Sequence, residues 1–206
     1  MNGVVYLVDD DPRVREALSE LLASLKIDHV TFASAAEYLR YPRSDESACL
    51  VLDVHLPDIN GLDLQQQLAD ESGPPIIFIS GHGDIPSTVR AMKAGAMEFL
   101  TKPINKDALV AAISAAFVKD LDQRQRTADL TSLQLRFALL TPREREVLPL
   151  VVAGMLNKQA AAALGISEVT LQVHRGQIMK KMEADSFADL VRMAGKLGIP
   201  EPDRTV

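Results

Sequence analysis

Polar residues that could bind a metal ion or accept a chemical group follow several short apolar runs in the first half of the chain. Asp9 and Asp10 come directly after the first run, Asp53 ends the third, Ser80 ends the fourth and Lys102 closely follows the fifth. Three carboxylates, one hydroxyl and one ammonium group could together bind a divalent cation and a phosphoryl group. That chemistry requires a fold that brings the five side chains together.

The apolar runs are predicted strands of a single parallel sheet. They span Val4–Val8, His29–Phe32, Leu50–Asp53, Ile76–Ser80 and Glu98–Thr101. Segments with helical spacing of apolar residues alternate with them, including Val89–Ala94 before the last strand and Ala108–Leu121 after it. This alternation is typical of a doubly wound α/β fold with helices on both faces. Ligands of such sheets bind beyond the carboxyl ends of the strands. We therefore expect the five polar residues at one edge of a five-stranded parallel sheet.

The predicted cluster favours magnesium and phosphoryl chemistry. Three close carboxylates repel one another unless a cation joins them, and Mg²⁺ prefers hard oxygen ligands of this kind. Asp53 could attack a phosphoryl group as a nucleophile, with Lys102 and Ser80 contacting the phosphoryl oxygens. The alternative is that strand-end polar residues only cap helices and solvate loops. Asp11, which precedes Pro12, is assigned to that role as a helix N-cap.

After about Asp120 the strand pattern disappears, and every later segment is predicted to be helical. Residues 121–140 contain neither Pro nor Gly, so they are interpreted as a partly helical linker that prolongs the preceding helix. Thr141 and Glu144 then flank Pro142 in the pattern of a capping box. A new helix is therefore expected to begin at Pro142.

Two further predicted helices have the lengths and spacing of a helix-turn-helix. They cover 157–164 and 168–182, and a short turn with Gly165 separates them. One face of the second helix is expected to pack inward through Leu171, His174, Ile178 and Met182. Another face is free to enter a DNA major groove and carries Gln172, Val173, Gly176 and Lys180.

The distribution of charge allows a nucleic-acid partner for the second half of the chain. The net charge is −6 at pH 7. Residues 1–120 hold 18 Asp and Glu against 10 Lys and Arg, whereas residues 157–182 hold four basic residues against one acid. The acidity therefore belongs to the first half, and a local basic face in the second half could contact DNA phosphates.

The sequence predicts a cytoplasmic protein without a membrane partner. No stretch reaches the ~18–20 uninterrupted apolar residues of a membrane span, and the chain does not begin with a basic segment and a cleavable apolar core. The single cysteine, Cys49, lies in an apolar run. It is expected to be a small buried hydrophobic residue in a reducing compartment.

Residues 1–120 resemble the receiver domain of bacterial two-component response regulators. The matching motifs follow the family's order and are Val8-Asp9-Asp10, Asp53 with Pro57-Asp58-Ile59-Asn60-Gly61, Ser80-Gly81-His82-Gly83-Asp84, Ala91-Met92-Lys93-Ala94-Gly95-Ala96 and Phe99-Leu100-Thr101-Lys102-Pro103. The resemblance implies a flavodoxin-like receiver fold, with Asp53 as the phosphoacceptor and Lys102 beside it.

The resemblance also implies roles for the other pocket residues. The implied Mg²⁺ ligands are Asp10 and Asp53, the backbone carbonyl of His55, and Asp9 through water. The implied switch pair is Ser80 and Phe99, and the Lys102–Pro103 peptide bond is expected to be cis. The side chains of His55 and His82 are expected to line the mouth of the pocket and to influence the lifetime of the phosphoryl group.

The C-terminal segment resembles the LuxR-type output domain of NarL/FixJ regulators, and the FixJ-like branch fits nearly the whole chain. The matching segments are Leu140-Thr141-Pro142-Arg143-Glu144-Arg145-Glu146-Val147-Leu148, Asn157-Lys158, and Val173-His174-Arg175 through Lys180-Lys181-Met182. The implied base-reading positions are Gln172, Val173 and Gly176. The implied phosphate contacts are Lys158, Thr170 and Lys180. Relatives often carry a longer side chain at the position of Gly176, so this residue bears on operator preference.

These observations predict three parts: a receiver domain over 1–120, a helical linker over 121–140 and a DNA-binding domain over 141–206. The expected function is transcription regulation, with a sensor histidine kinase donating a phosphoryl group to Asp53. Phosphorylation is expected to promote a homodimer that binds double-stranded promoter DNA, and RNA polymerase is a further expected partner. No enzymatic turnover of an external substrate is expected.

Two alternatives remain open at the level of sequence. The helical C-terminal part could bind a protein instead of DNA, and salt-dependent affinity for duplex DNA would distinguish the two. The pocket could also belong to a phosphatase of the haloacid-dehalogenase kind. In that family the nucleophile follows the first strand and a second Asp lies two residues later. Here Asp53 is on the third strand and His55 is two residues later.

Overall fold

The structure, a computed structural model, describes residues 3–42, 44–69, 73–81 and 85–200. The chain forms two compact units, Met1–Arg124 and Gln125–Val206, which we call the first and the second unit. The predicted domain boundaries at residues 120 and 140 remain predictions. Within the described ranges, no helix is both long and apolar enough to cross a membrane.

The first unit is a parallel sheet with helices on both faces, as predicted. Its strands are β1 (Val4–Val8), β2 (Asp28–Phe32), β3 (Ala48–Asp53), β4 (Ile76–Ser80) and β5 (Glu98–Thr101). Its helices are α1 (Pro12–Ser24), α2 (Ala35–Arg40), α3 (Gly61–Ala69), α4 (Ile85–Lys93) and α5 (Lys106–Ala138), the last of which continues into the second unit. The five strands are parallel in the order β2-β1-β3-β4-β5. This order is that of the flavodoxin-like doubly wound sheet.

The sheet separates two apolar layers. Alternate residues of each inner strand point to opposite faces, so Leu52 packs on the side of α2, α3 and α4 and Val51 packs on the side of α1 and α5. Every residue of β3 and of β4 is buried. Burial on both faces explains why these strands are continuous apolar runs. Cys49 lies in this core as predicted, and burial raises the pKa of its thiol.

One helix of the first unit begins earlier than predicted, and another continues into the predicted linker. Helix α4 begins at Ile85 and not at Val89. Ile85 is 79 % exposed and Val89 is 44 % exposed, so the first turn of α4 has no apolar core face that a periodicity search could detect. Helix α5 runs from Lys106 to Ala138 without a break. The polar stretch after Asp120 is helical throughout that range because no Pro or Gly interrupts it.

The second unit packs four helices and the end of α5 around one core. The four helices are α6 (Pro142–Val152), α7 (Asn157–Leu164), α8 (Glu168–Met182) and α9 (Phe187–Lys196). Helices α7 and α8 have the predicted ranges of the helix-turn-helix. Gly165, at φ +66°, ends α7 in the left-handed conformation that glycine adopts without strain. The hydroxyl of Ser167 then caps α8 by accepting from the N–H of Thr170.

Helix α6 begins with the predicted capping box. The Thr141 hydroxyl accepts from the Glu144 N–H at 3.3 Å, and the Glu144 carboxylate accepts from the Thr141 N–H at 2.8 Å. The same carboxylate accepts a hydrogen bond from Lys181 Nζ on α8 at 2.7 Å, and its side chain is only 5 % exposed. Burial alone would raise the pKa of Glu144, but the bonds from Lys181 and Thr141 outweigh burial and lower it. Ionised Glu144 therefore stabilises the junction of α6 and α8.

We predict that Glu144→Gln lowers the free energy of unfolding by about 1–3 kcal/mol at pH 7, because a buried charged hydrogen bond is lost. The folded pKa of Glu144 is below its unfolded value of about 4.3, so its contribution is complete above that value and disappears as the pH falls through the folded pKa. The difference between the variant and wild type should therefore narrow in acid. Urea denaturation of the full-length chain across this pH range measures the difference.

Glu146→Gln is the matched control. Glu146 lies on the same helix and pairs with Arg143, but its side chain is 55 % exposed, so its loss should cost less than about 1 kcal/mol. An equal loss of stability for the Glu144 variant at neutral and acidic pH would contradict the account.

Candidate functional site

The parallel sheet brings the predicted pocket residues to one edge. In the register of β1 with β3, Val8 lies beside Leu52, so the next residues, Asp9 and Asp53, are neighbours. Strands β4 and β5 pair Ser80 with Thr101, and Lys102 follows directly. Each of these residues stands at the carboxyl end of its strand, as expected for a parallel sheet.

Lys102 connects two of the acids. Its Nζ donates to Oδ2 of Asp9 at 2.6 Å and to Oδ2 of Asp53 at 2.5 Å. The Asp9 side chain is fully buried, that of Asp53 is 8 % exposed and that of Lys102 is 21 % exposed. Asp10 is exposed, and one oxygen from each of the three carboxylates lies within 4.8 Å of the others. The pocket is therefore open to solvent on the side of Asp10.

Backbone groups hold the pocket side chains in place. The His55 N–H donates to Oδ1 of Asp53 at 3.0 Å, and the Asp11 N–H donates to Oδ1 of Asp9 at 2.9 Å. The backbone N–H of Lys102 donates to the Ser80 carbonyl at 2.8 Å. This bond fixes the backbone at Lys102, from which the ammonium group extends. Asp11 also caps α1, as predicted, by accepting from Arg13 N at 2.9 Å.

Two residues of the loop after Asp53 have roles that the sequence analysis did not assign. A Cβ on Gly61 would lie 2.4 Å from the carbonyl oxygen of Asp53, so only glycine lets α3 begin at this distance from the strand end. The Asp58 carboxylate accepts from the N–H of Ala36 at 2.9 Å, in the first turn of α2. Both contacts fix the segment between Asp53 and α3. They could not be read from the sequence, because one joins residues distant in the chain and the other is a matter of backbone packing.

The electrostatics of the pocket leave an excess of negative charge. Burial raises the pKa of Asp9 more than its bonds to Lys102 and to the Asp11 N–H lower it. Burial would lower the pKa of Lys102, but its bonds to Asp53 and Asp9 outweigh burial and raise it. Lys102 therefore stays protonated, and one ammonium group faces three carboxylates.

This donor set fits a divalent cation. The three acids offer hard oxygen ligands within reach of one another, and two of them are held in place by backbone N–H groups. Mg²⁺ typically takes one or two carboxylates together with waters and phosphate oxygens. Asp10, whose carboxylate is exposed beside the two buried acids, gives such an ion access from solvent.

The two residues implied as a switch pair lie on neighbouring strands. Ser80, at the end of β4, is fully buried, and the ring of Phe99 on β5 lies at a tilt 6.1 Å from that of Phe78. The Lys102–Pro103 bond is cis, as expected. The His55 side chain is exposed at the pocket. His82 lies outside the described residues.

The predicted DNA-contacting residues are exposed in the second unit. On α8 these are Thr170, Gln172, Val173, Gly176 and Lys180, and on α7 it is Lys158. The opposite face of α8 buries Leu171, Ile178 and Met182, whereas His174 is only half-buried. The Thr170 hydroxyl shares a 2.9 Å hydrogen bond with Ser167 Oγ at the start of α8.

The basic face is smaller than the sequence suggested. Of the four basic residues in 157–182, Lys181 is bonded to Glu144, and Arg175 donates to Asn157 Oδ1 at 2.5 Å. Lys158 and Lys180 are exposed. Neither engaged pair could be found from sequence, because the partners are brought together by helix packing.

Both units match known family models. Residues 5–114 match the response regulator receiver domain. Residues 138–194 match the luxR family of bacterial regulatory proteins. The order of the two matches agrees with the order of the units in the chain.

The chain is also similar to whole regulators over nearly its full length. It is 47 % identical to nodulation protein W of Bradyrhizobium diazoefficiens, covering 96 % of this chain and 87 % of that protein. It is 45 % identical to the response regulator protein TodT of Pseudomonas putida, covering 95 % and 86 %. Its identity to the transcriptional regulatory protein FixJ of Azorhizobium caulinodans is 40 %, covering 97 % and 95 %.

Solved structures support the same assignment. The response regulator StyR superposes with a TM-score of 0.81 at 46 % identity, covering 95 % of this chain and all of that chain. Full-length FixJ from B. japonicum superposes with a TM-score of 0.57 at 36 % identity, covering 96 % and 98 %. The chain therefore belongs to the two-component response regulators of the NarL/FixJ family, in which a receiver domain precedes a LuxR-type helix-turn-helix domain that binds DNA to regulate transcription.

Proposed function

We propose that Asp53 accepts a phosphoryl group from a sensor histidine kinase and that this modification controls DNA binding by the second unit. The observation that carries the proposal is the Asp53 carboxylate at the end of β3, nearly buried, between the Lys102 ammonium group and the His55 N–H. Both groups can stabilise negative charge next to the attacking oxygen. The membership of the chain in the response regulators supports a kinase as the donor.

The proposed step is a displacement at phosphorus. A carboxylate oxygen of Asp53 forms the new bond to phosphorus, and the bond between phosphorus and the donor's histidine nitrogen breaks, so the imidazole leaves with the electron pair. Such a transfer depends on positioning and charge more than on a general base. Lys102, which is anchored through its backbone to Ser80, would contact the phosphoryl oxygens. The buried Ser80 hydroxyl is the second proposed contact.

We propose that Mg²⁺ is held by Asp10, Asp53 and the His55 carbonyl directly, and by Asp9 through water. When bound, the ion offsets the repulsion among the carboxylates and neutralises charge on the phosphoryl oxygens. The excess of acid over ammonium groups in the pocket supports this assignment. We expect one phosphorylation per chain and no turnover of an external substrate.

The proposed output is a phosphorylated homodimer, in the cytoplasm, that binds promoter DNA and contacts RNA polymerase. Ser80 would move toward the phosphoryl group and Phe99 would follow, altering the surface of α4, β5 and α5. On DNA, Gln172, Val173 and Gly176 would face the bases. Lys158, Thr170 and Lys180 would contact backbone phosphates. The exposure of all six residues supports this orientation of α8.

We expect Asp53→Asn to abolish phosphorylation by acetyl phosphate with Mg²⁺, because the nucleophilic oxygen is lost. Asp10→Asn is the matched control, since it removes a metal ligand and retains the nucleophile. It should shift phosphorylation to higher Mg²⁺ concentration without abolishing it. Phosphate incorporation measured across a Mg²⁺ titration tests both. Acid-labile phosphate in the Asp53 variant would refute the assignment of the phosphoacceptor, and an unchanged Mg²⁺ dependence would remove Asp10 from the metal site.

We expect Ser80→Ala to accept phosphate at Asp53 but to remain largely monomeric. A ligand shifts an equilibrium only through its differential affinity for the two states, and the Ser80 hydroxyl is the proposed source of that difference. Ser24→Ala is the control, because the Ser24 hydroxyl bonds to the Leu21 carbonyl on α1, away from the pocket and from the proposed pairing surface. Sedimentation with and without acetyl phosphate measures pairing. Equal phosphate-induced dimerisation in wild type and the Ser80 variant would contradict the coupling.

We expect Gln172 and Lys180 to differ in what they contribute to DNA binding. Gln172→Ala should relax preference at one base position of each half-site, by about 1–3 kcal/mol, with a nearly unchanged salt dependence. Lys180→Ala should weaken all sequences alike and reduce the salt slope by about one. Binding isotherms on specific and scrambled duplexes at several salt concentrations measure both. The opposite pattern would show that α8 lies in the groove in another orientation.

A further inference from the structure

Helix α8 carries one basic side chain that neighbouring helices engage on two sides. Arg175 lies near the middle of α8, directly before Gly176. Its guanidinium group donates to Oδ1 of Asn157 at 2.5 Å, and the guanidinium carbon lies 5.5 Å from the centroid of the Phe187 ring. The side chain is half-buried. The positive charge of Arg175 is therefore engaged by contacts within the second unit.

Both partners of Arg175 are the first residues of helices. Asn157 begins α7 and Phe187 begins α9. Arg175 therefore joins the starts of two helices to the middle of α8. Lys158, a proposed phosphate contact, is the next residue after Asn157, and Gln172, a proposed base contact, lies about one helical turn before Arg175 on α8.

We propose that Arg175 is a positioning residue for DNA recognition. By holding Asn157 and Phe187, it sets the start of α7, and hence Lys158, relative to the exposed face of α8. This inference rests on the proposed DNA contacts of Lys158 and Gln172. It differs from the simpler assignment of Arg175 as another phosphate contact, which its charge alone would suggest.

The chemistry of the contacts requires arginine at this position. The planar guanidinium group can donate to an amide oxygen along one edge while its face lies over an aromatic ring. A lysine would retain the charge but cannot maintain both contacts. Phosphate contacts set the register of a protein on DNA, and base contacts supply specificity. A small shift between Lys158 and Gln172 should therefore reduce sequence discrimination more than overall affinity.

The test uses the full-length chain treated with acetyl phosphate and Mg²⁺. The probes are a duplex enriched by the wild-type protein from a random-sequence library and a scrambled duplex of the same composition. Arg175→Lys should lower the ratio of specific to non-specific affinity by about tenfold, comparable with the loss of one good base contact. The slope of log affinity against log salt should stay unchanged because the charge is retained.

An uncharged pair of variants tests the same contact independently. Phe187→Leu removes the aromatic face and should also lower the specificity ratio, whereas Phe187→Tyr retains the face and should preserve it. Circular dichroism at the assay temperature checks that each variant is folded. If Arg175→Lys does not fold, the Phe187 pair decides the question.

Lys158→Gln separates a failure of this proposal from a failure of the proposed DNA contacts. It should reduce the salt slope by about 0.9, because one phosphate contact is lost. An unchanged slope would refute the phosphate contact of Lys158 and leave the readouts of Arg175 and Phe187 intact. Two results would overturn the positioning role of Arg175. One is an Arg175→Lys variant whose specificity ratio and salt slope equal those of wild type. The other is a Phe187→Leu variant whose specificity ratio equals that of wild type.

Discussion

The ammonium group of Lys102, placed between the carboxylates of Asp9 and Asp53, holds together the ends of β1 and β3 with the segment that follows β5. Inside a protein the low dielectric constant strengthens such contacts and also makes an uncompensated charge costly. Three acids and one ammonium group leave negative charge uncompensated on the side where Asp10 is exposed. The same interaction thus assembles the pocket and leaves it suited to a divalent cation.

The second unit contains a similar buried ion pair, but there the opposite charges are equal in number. Lys181 binds the nearly buried carboxylate of Glu144, and Thr141 donates its N–H to the same oxygen. Here one carboxylate meets one ammonium group, and the acid also belongs to a helix cap. The charge is balanced, so the pair stabilises the packing of α6 against α8. The two sites therefore differ in charge balance, since both contain a nearly buried carboxylate bonded to a lysine.

Sequence patterns predicted the strands, the doubly wound sheet and the helix-turn-helix, because burial on both sheet faces and helix caps have direct signatures in residue type. They also predicted that Asp9, Asp53 and Lys102 meet, since the carboxyl ends of parallel strands share an edge. The start of α4 was missed because Ile85, its first residue, is exposed and gives no signal of a buried face. The engagement of Arg175 and Lys181 was missed because side-chain partners on other helices are set by packing, which leaves no local pattern.

The most direct test of the account identifies the residue that carries the phosphoryl group. Borohydride reduction converts an aspartyl phosphate to homoserine, which peptide mass spectrometry locates in the chain. After treatment of the full-length protein with acetyl phosphate and Mg²⁺, the account predicts homoserine at position 53, at no more than one residue per chain. Homoserine at position 9 or 10 in its place, or no homoserine in a sample that has incorporated phosphate, would contradict it.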